Sequence, residues 1–409
     1  FGLNHVTLNL LQRTENRSYW LGEFQLPPNA DDEDWLQPFR EKVARDLEIF
    51  GLNHLGCHSP IDYYKRPFVP YIQPIRFVDI CHWQTPAADD FRDVFSRDFE
   101  RHCRARAKEV AAPRDRDPYL IGYSFTDCPI FTDEEAAARG VQVYGAPREA
   151  TPTWPLVLRN LGEDAAGKRT YVNTMRERYG NDIQPFNAIY ETHFDTFDAL
   201  AQAENWRPEV DLANVEERED NAHFLDMIID RYYSVAVDAI RRYDRNHLIL
   251  GDKLNGNTNT PDDAVALAGQ HMDLIFYQWY ATYEDQRERL DHWSNITGKP
   301  LFNGDSSFST PNPNMPNPLG PHYPDQEQRA TAFLDFAKNA FSRPDFVGWS
   351  WCGWMDSWAT VPRQMERQHS GLQDPFGRLH EPMVEAMSAF SRGMYDIARG
   401  VELDEGQEA

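Results

Sequence analysis

Two aspartates, Asp127 and Asp305, stand at the ends of short apolar runs, and aromatic, amide and imidazole groups crowd the matching ends of other runs. Asp127 follows Tyr119–Thr126 and leads into Cys128-Pro129, and Asp305 follows Pro300–Gly304. The remaining run ends carry Asn4 and His5, then Cys57 and His58, then Asp79, His82 and Trp83, then Asp252 and Lys253. Further on come Tyr277, Gln278, Trp279 and Tyr280, and finally Trp349, Trp351, Trp354 and Asp356. Cleaving a glycosidic bond takes one carboxylic acid to protonate the leaving oxygen and a second carboxylate as nucleophile or as base for water. Sugar rings stack on flat aromatic faces, and their hydroxyls pair with amides and imidazoles. Taken singly, each group has a plainer use. An aspartate at a strand end more often caps a helix or pairs with a cation, and Asp252 beside Lys253 reads as an internal salt bridge. A single aromatic is more often core filling.

The elements that must position these groups are legible. Eight β-rich runs, Gly2–Leu8, Leu52–Cys57, Ile75–Ile80, Tyr119–Thr126, Leu248–Asp252, Leu274–Trp279, Pro300–Gly304 and Phe346–Trp351, alternate with longer helical patterns. Strand and helix repeated in this way predict an α/β fold, a (β/α)8 TIM barrel, whose chemistry belongs at the C-terminal ends of its strands. Trp35, Phe39, Val43, Leu47 and Phe50 recur at helical spacing, with Asp34 in the cap position and Gly51 as the stop. A second helix is predicted from about Phe224 to Tyr243 and a third after Asp325. The stretch from 128 to about 220 is too long for one barrel helix and predicts a helical insertion after the fourth strand, packed over the barrel mouth. The Pro- and Asn-rich segment Ser306 to Pro324 predicts an irregular wall of the site. The expected organisation is one catalytic domain over residues 1–400 and an acidic tail over 401–409.

Composition narrows the partners. The chain is 41% hydrophobic and 13% aromatic, enough for a large core, and its net charge of −24 argues against nucleic acid and anionic membranes. No apolar run approaches the roughly 18 residues of a membrane span. The acidity reads as a solvated surface, and a saline habitat also fits it. Cys57, Cys81, Cys103, Cys128 and Cys352 are scattered, odd in number and without C-x-x-C spacing, so neither a disulfide framework nor a zinc site is expected. The first strand holds a single histidine, His5, where metal-dependent barrel hydrolases favour an H-x-H pair, so no metal or other cofactor is expected. The chain opens on Phe1 without Met, which fits a trimmed leader, and a secreted or periplasmic setting is the favoured expectation.

Several segments, in order, carry a family likeness. Phe1-Gly2-Leu3-Asn4-His5-Val6 and Phe50-Gly51-Leu52-Asn53-His54-Leu55-Gly56 resemble the first two strands of the clan A barrel glycosidases, especially the family 50 β-agarases and family 42 β-galactosidases. Phe91-Arg92-Asp93-Val94-Phe95-Ser96, Asp117-Pro118-Tyr119-Leu120-Ile121-Gly122-Tyr123, Phe186-Asn187-Ala188-Ile189-Tyr190-Glu191-Thr192 and Lys299-Pro300-Leu301-Phe302-Asn303-Gly304-Asp305 continue it. The resemblance implies hydrolysis of β-linked galactan, agarose-like oligosaccharides first among them, with a polysaccharide or oligosaccharide as partner. The departures fall at the catalytic positions. The family's Asn-Glu after the fourth strand aligns with Asp127-Cys128, so a one-residue slip makes Asp127 the acid, and Asp305 replaces the nucleophile Glu. Asp127, among Phe125, Pro129, Ile130 and Phe131, is assigned the acid role, and Asp305, followed by Ser306 and Ser307, that of nucleophile or base. Two shortened side chains point either to inversion, where the carboxyls stand about 6.5–9.5 Å apart, or to a retaining site on a closer backbone. Trp279, Trp351 and Trp354 are the stacking candidates, with Trp83 behind them, while Asn4, His5, His82, Gln278 and Tyr280 are candidates for sugar hydroxyls. Glu191 and Asp252 are further possible site residues, Glu191 chiefly as structural support. Loss of both expected glutamates also admits a second reading, a non-catalytic carbohydrate-binding pseudoenzyme on the same barrel.

Overall fold

The computed structural model describes every residue except 60–67, 79, 81–91, 143–151, 259, 315, 317–320, 361–369 and 401–409. Eight strands follow one another in chain order: β1 (Gly2–Asn4), β2 (His54–Leu55), β3 (Tyr71–Pro74), β4 (Leu120–Asp127), β5 (Leu248–Asn255), β6 (Ile275–Gln278), β7 (Leu301–Ser306) and β8 (Phe346–Cys352). They close into a parallel barrel, with β8 returning to β1 in the register Leu3↔Trp351 and Asn4↔Cys352. The predicted TIM barrel is therefore present.

The third strand lies upstream of its expected place. Ile75, Phe77, Val78 and Ile80 are all buried, yet the strand itself is Tyr71–Pro74. An apolar run marks burial and not ladder pairing, and Pro74 brings no N–H with which to extend the ladder. The Ile75 N–H still reaches Ser124 O at 2.7 Å.

The chain forms two compact units, one of Phe1–Gln73, Asp117–Gly122 and Phe276–Ala409, the other of Pro74–Arg116 and Tyr123–Ile275. In the first, helix Asp32–Phe50 starts one turn earlier than expected. Asp31 is its cap, accepting from the Glu33 and Asp34 N–H groups at 3.0 and 3.1 Å, and Asp34 accepts the Asp31 N–H at 3.1 Å to close a capping box. Gly51 ends it as expected, in the left-handed conformation at φ 71°. Helix Gln326–Phe341 begins at the expected Asp325, whose side chain accepts the Gln328 N–H at 2.8 Å. Its Phe333 stacks on Trp349 at 5.7 Å, and Trp349 in turn stacks on Phe1 at 5.1 Å.

In the second unit the long helix is Val215–Arg241, capped by Asn214, and it buries the predicted Phe224, Ile228, Tyr232, Val235 and Ala239. The stretch after β4 is helical, as expected: Asp133–Gln142, Trp154–Arg159, Ala166–Arg178, Ile183–Tyr190 and Phe197–Gln202. Wholly buried Arg159 ties these helices to the long one through Glu217 at 2.8 Å, and Arg207 meets the same carboxylate at 2.6 Å.

Candidate active site

Asp305 sits near the C-terminal end of β7 and is 3% exposed. Its Oδ1 accepts Asn4 Nδ2 at 2.9 Å, and the other Asn4 N–H goes to Gly304 O at 2.6 Å. Asn4 Oδ1 accepts the His58 N–H at 3.2 Å. Asn4 is thus a bracket for Asp305, with both N–H groups engaged inside the protein. This differs from the predicted hydroxyl-binding role, because no amide hydrogen is left for a sugar. Gly56 makes the bracket possible, since a Cβ there would collide with the Asn4 amide. His5 and His58 stack at 4.7 Å, and their Nε2 atoms stand 3.8 and 3.6 Å from Asp305 Oδ2. His5 holds this place from a left-handed backbone at φ 56°, an uncommon conformation for a side chain of its size. Of the expected hydroxyl donors, Ser306 Oγ accepts from Asn303 Nδ2 at 2.9 Å.

In the second unit Asp127 is the last residue of β4, and Lys253 Nζ lies 2.9 Å from its Oδ1. Phe125, Ile130 and Phe131 are buried, the dry setting expected around Asp127. An ammonium at this distance favours the charged carboxylate, the opposite of what a proton donor requires. The expected Asp252–Lys253 salt bridge is not the arrangement found. Successive strand residues face opposite ways, so Lys253 reaches Asp127 while Asp252 turns to the other face. There it is fully buried and accepts the Thr126 N–H at 2.8 Å and the hydroxyls of Tyr232 and Tyr233 at 3.2 and 3.0 Å. Burial outweighs these donors and pushes the Asp252 carboxyl up to about 6.

The other predicted residues separate by burial. Gln278 ends β6, is 5% exposed, and its Oε1 has no hydrogen-bond partner among the described residues. Trp279 and Tyr280 are partly exposed, and Trp279 is flanked by Trp293 at 6.3 Å and the Arg289 guanidinium at 5.7 Å. Trp351 and Trp354 are wholly buried and are not open stacking faces. The two-residue period puts Trp351 on the same side of β8 as Trp349, against Phe333 at 5.8 Å, with its indole N–H on Ser370 O at 2.9 Å. Trp354 packs on Phe39 and donates to Asp46 at 2.7 Å. Glu191 is exposed and ends helix Ile183–Tyr190 in a left-handed conformation at φ 52°, consistent with a structural place. His82 and Trp83 lie outside the described residues. The sequence places His58 and Lys253 at strand ends and Cys352 among scattered cysteines, and assigns none of the three a site role. The signal available for each was its place toward the C-terminal side of a strand: Cys352 ends β8, Lys253 lies near the end of β5, and His58 follows β2 by three residues.

No family model matches the sequence. It is similar to Beta-agarase B of Vibrio sp. (strain JT0107), 23% identical over 372 residues, which are 87% of this chain and 36% of that protein. The chain shares its fold with solved agarase structures. An exo-beta-agarase aligns with a TM-score of 0.74 at 19% identity, covering 93% of this chain and 50% of that one. PfGH50B gives 0.74 at 20% identity over 93% and 53% of the two chains. A beta-galactosidase from the psychrophilic Marinomonas ef1 gives 0.56 at 13% identity over 89% and 58%. The chain thus spans little more than a third of the matched agarase sequence and about half of these structures.

Proposed function

We propose that this chain is a glycoside hydrolase acting on agarose-like, β-linked galactan sugars, with residues 1–400 as its catalytic domain. The observation that carries the reading is Asp305, a buried carboxylate near the end of a barrel strand, oriented by Asn4 and faced by two imidazoles. The similarity to a β-agarase supports the substrate class.

In this reading Asp305 is the nucleophile or the base for water. Donation from Asn4 Nδ2 favours its charged form and fixes which oxygen faces Asn4, so Oδ2 is the reacting oxygen. His5 bears on that oxygen and on sugar hydroxyls. Asp127 takes the acid role, and Lys253 sets a condition on it: the donor is ready only when substrate has moved the ammonium away. Gln278 Oε1 accepts a sugar hydroxyl, and Trp279 and Tyr280 offer the accessible ring faces.

The test is incubation of the chain with defined agarose and other galactan oligosaccharides, followed by product analysis. Cleavage is expected, and Asp305→Asn and Asp127→Asn should each lose about 10²–10⁴-fold in kcat while still binding sugar. NMR of the first-formed anomer decides between inversion and retention. Sugar binding with no cleavage by the parent chain would overturn the enzymatic reading in favour of a carbohydrate-binding pseudoenzyme.

A further inference from the structure

The surroundings of Asp305 fit more than a carboxylate waiting for a sugar. His5, Asp305 and the Cys352 thiol each present one donor atom, and the three atoms lie within 4.8 Å of one another. They come from the ends of β1, β7 and β8, so no local spacing such as C-x-x-C could have announced them. The two imidazole distances to Asp305 Oδ2, 3.8 Å from His5 and 3.6 Å from His58, are too long for hydrogen bonds. The His5 distance is close to the roughly 3.3–3.8 Å that separates two donors sharing one tetrahedral ion, given metal–ligand bonds of about 2.0–2.3 Å.

We propose that His5, Asp305 and Cys352 form a binding site for a thiophilic divalent cation of the zinc type, with a fourth position left open. The donor set decides the class of ion. Imidazole, carboxylate and thiolate together select zinc or cobalt, whereas calcium and magnesium ask for oxygen donors alone. His58, stacked on His5, and Asn4, on the other oxygen of Asp305, hold two of the ligands in place. Asp305 and Cys352 are almost fully buried and His5 is partly exposed. The inference rests on the hydrolase reading in one respect only: a cation on Asp305 withdraws that carboxylate from chemistry, so zinc is then an inhibitor of this same site.

The experiment titrates the full chain with Co²⁺ while absorption is recorded, then displaces it with Zn²⁺. A near-ultraviolet thiolate-to-cobalt band that saturates at one ion per chain and is erased by zinc is the expected result. Cys352→Ser should abolish the band, and His5→Gln should weaken binding by roughly tenfold or more. Thermal unfolding of each variant checks that it folds, and if Cys352→Ser does not, His5→Gln carries the test. Absence of saturable binding, or a band that survives in Cys352→Ser, overturns the site. Hydrolysis is assayed separately. Zinc should inhibit the parent chain and inhibit Cys352→Ser at least about tenfold less, each measured against its own uninhibited rate. Cobalt binding without cleavage of any sugar leaves the cation site standing and the hydrolase reading overturned. Cleavage that zinc neither inhibits nor accompanies by binding does the reverse.

Discussion

At the scale of the residue, neighbours in sequence turn out to be strangers in space. Asp252 and Lys253 read as a pair because they are adjacent, yet a strand sends them to opposite faces, one to two tyrosines and the other to Asp127. The separation leaves Asp252 with donors but no opposite charge among the described residues, and its carboxyl is raised from 3.8 to about 6. The sign of the consequence follows. A carboxyl raised on folding stabilises the folded state while it holds its proton. That contribution is whole below about 3.8 and is lost as pH climbs through about 6, a swing on the order of 3 kcal/mol. Asp252→Asn removes the titration. The stability of the parent chain minus that of the variant should therefore fall as pH rises from about 4 to about 7 and level off above. Denaturant unfolding of both proteins across this range measures it, and a difference that does not vary with pH would show that Asp252 does not titrate in this way.

Elements were legible in proportion to how much of their signal is local. Caps, stops and apolar periodicity are local, which is why helix Asp32–Phe50 ends at Gly51 as expected and helix Gln326–Phe341 begins after Asp325. The start of the first of these slipped by one turn because Asp31 and Asp34 are both good cap residues, and reciprocal bonding makes Asp31 the cap and Asp34 its partner. Strand pairing is not local. The run Ile75–Ile80 carries the apolar signal while the ladder lies over Tyr71–Pro74. The candidate site follows the same rule. Its strand-end positions were readable, but the bracket role of Asn4 and the meeting of His5, His58 and Cys352 at Asp305 depend on closure of β1 onto β8 and on register, which no single window of sequence contains. Likewise Trp351 was read by residue type, whereas the parity of β8 decides that it faces the Phe333 helix. The local part is open to a direct test. Asp31→Ala removes one acceptor of the capping box and should lower unfolding stability by about 1 kcal/mol, whereas Asp34→Ala, which spares the Asp31 acceptor, should cost less. Equal losses in the two variants would contradict the assignment of the cap to Asp31.

At the scale of the whole molecule the governing quantity is charge. The chain carries 65 acidic against 41 basic residues, a net −24, and such an excess repels itself in the compact state. Many of the carboxylates do find partners, as Glu217 does with Arg159 and Arg207, but pairing of that kind settles local geometry and leaves the net excess untouched. Added salt shortens the range of the repulsion, from about 10 Å at 0.1 M to about 3 Å at 1 M. Thermal stability should therefore rise with NaCl, steeply at first and then by less with each further increment. KCl should give the same curve, because screening depends on ionic strength and not on which monovalent cation supplies it. Sodium sulfate at matched ionic strength adds a separate gain through exclusion from the protein surface, and this grows with concentration where the screening curve flattens. Unfolding midpoints in the three salts separate the two effects. A midpoint that is flat or falls between low salt and about 1 M NaCl would mean that self-repulsion is not a material term in this fold, and that the acidic surface has to be explained by solubility alone.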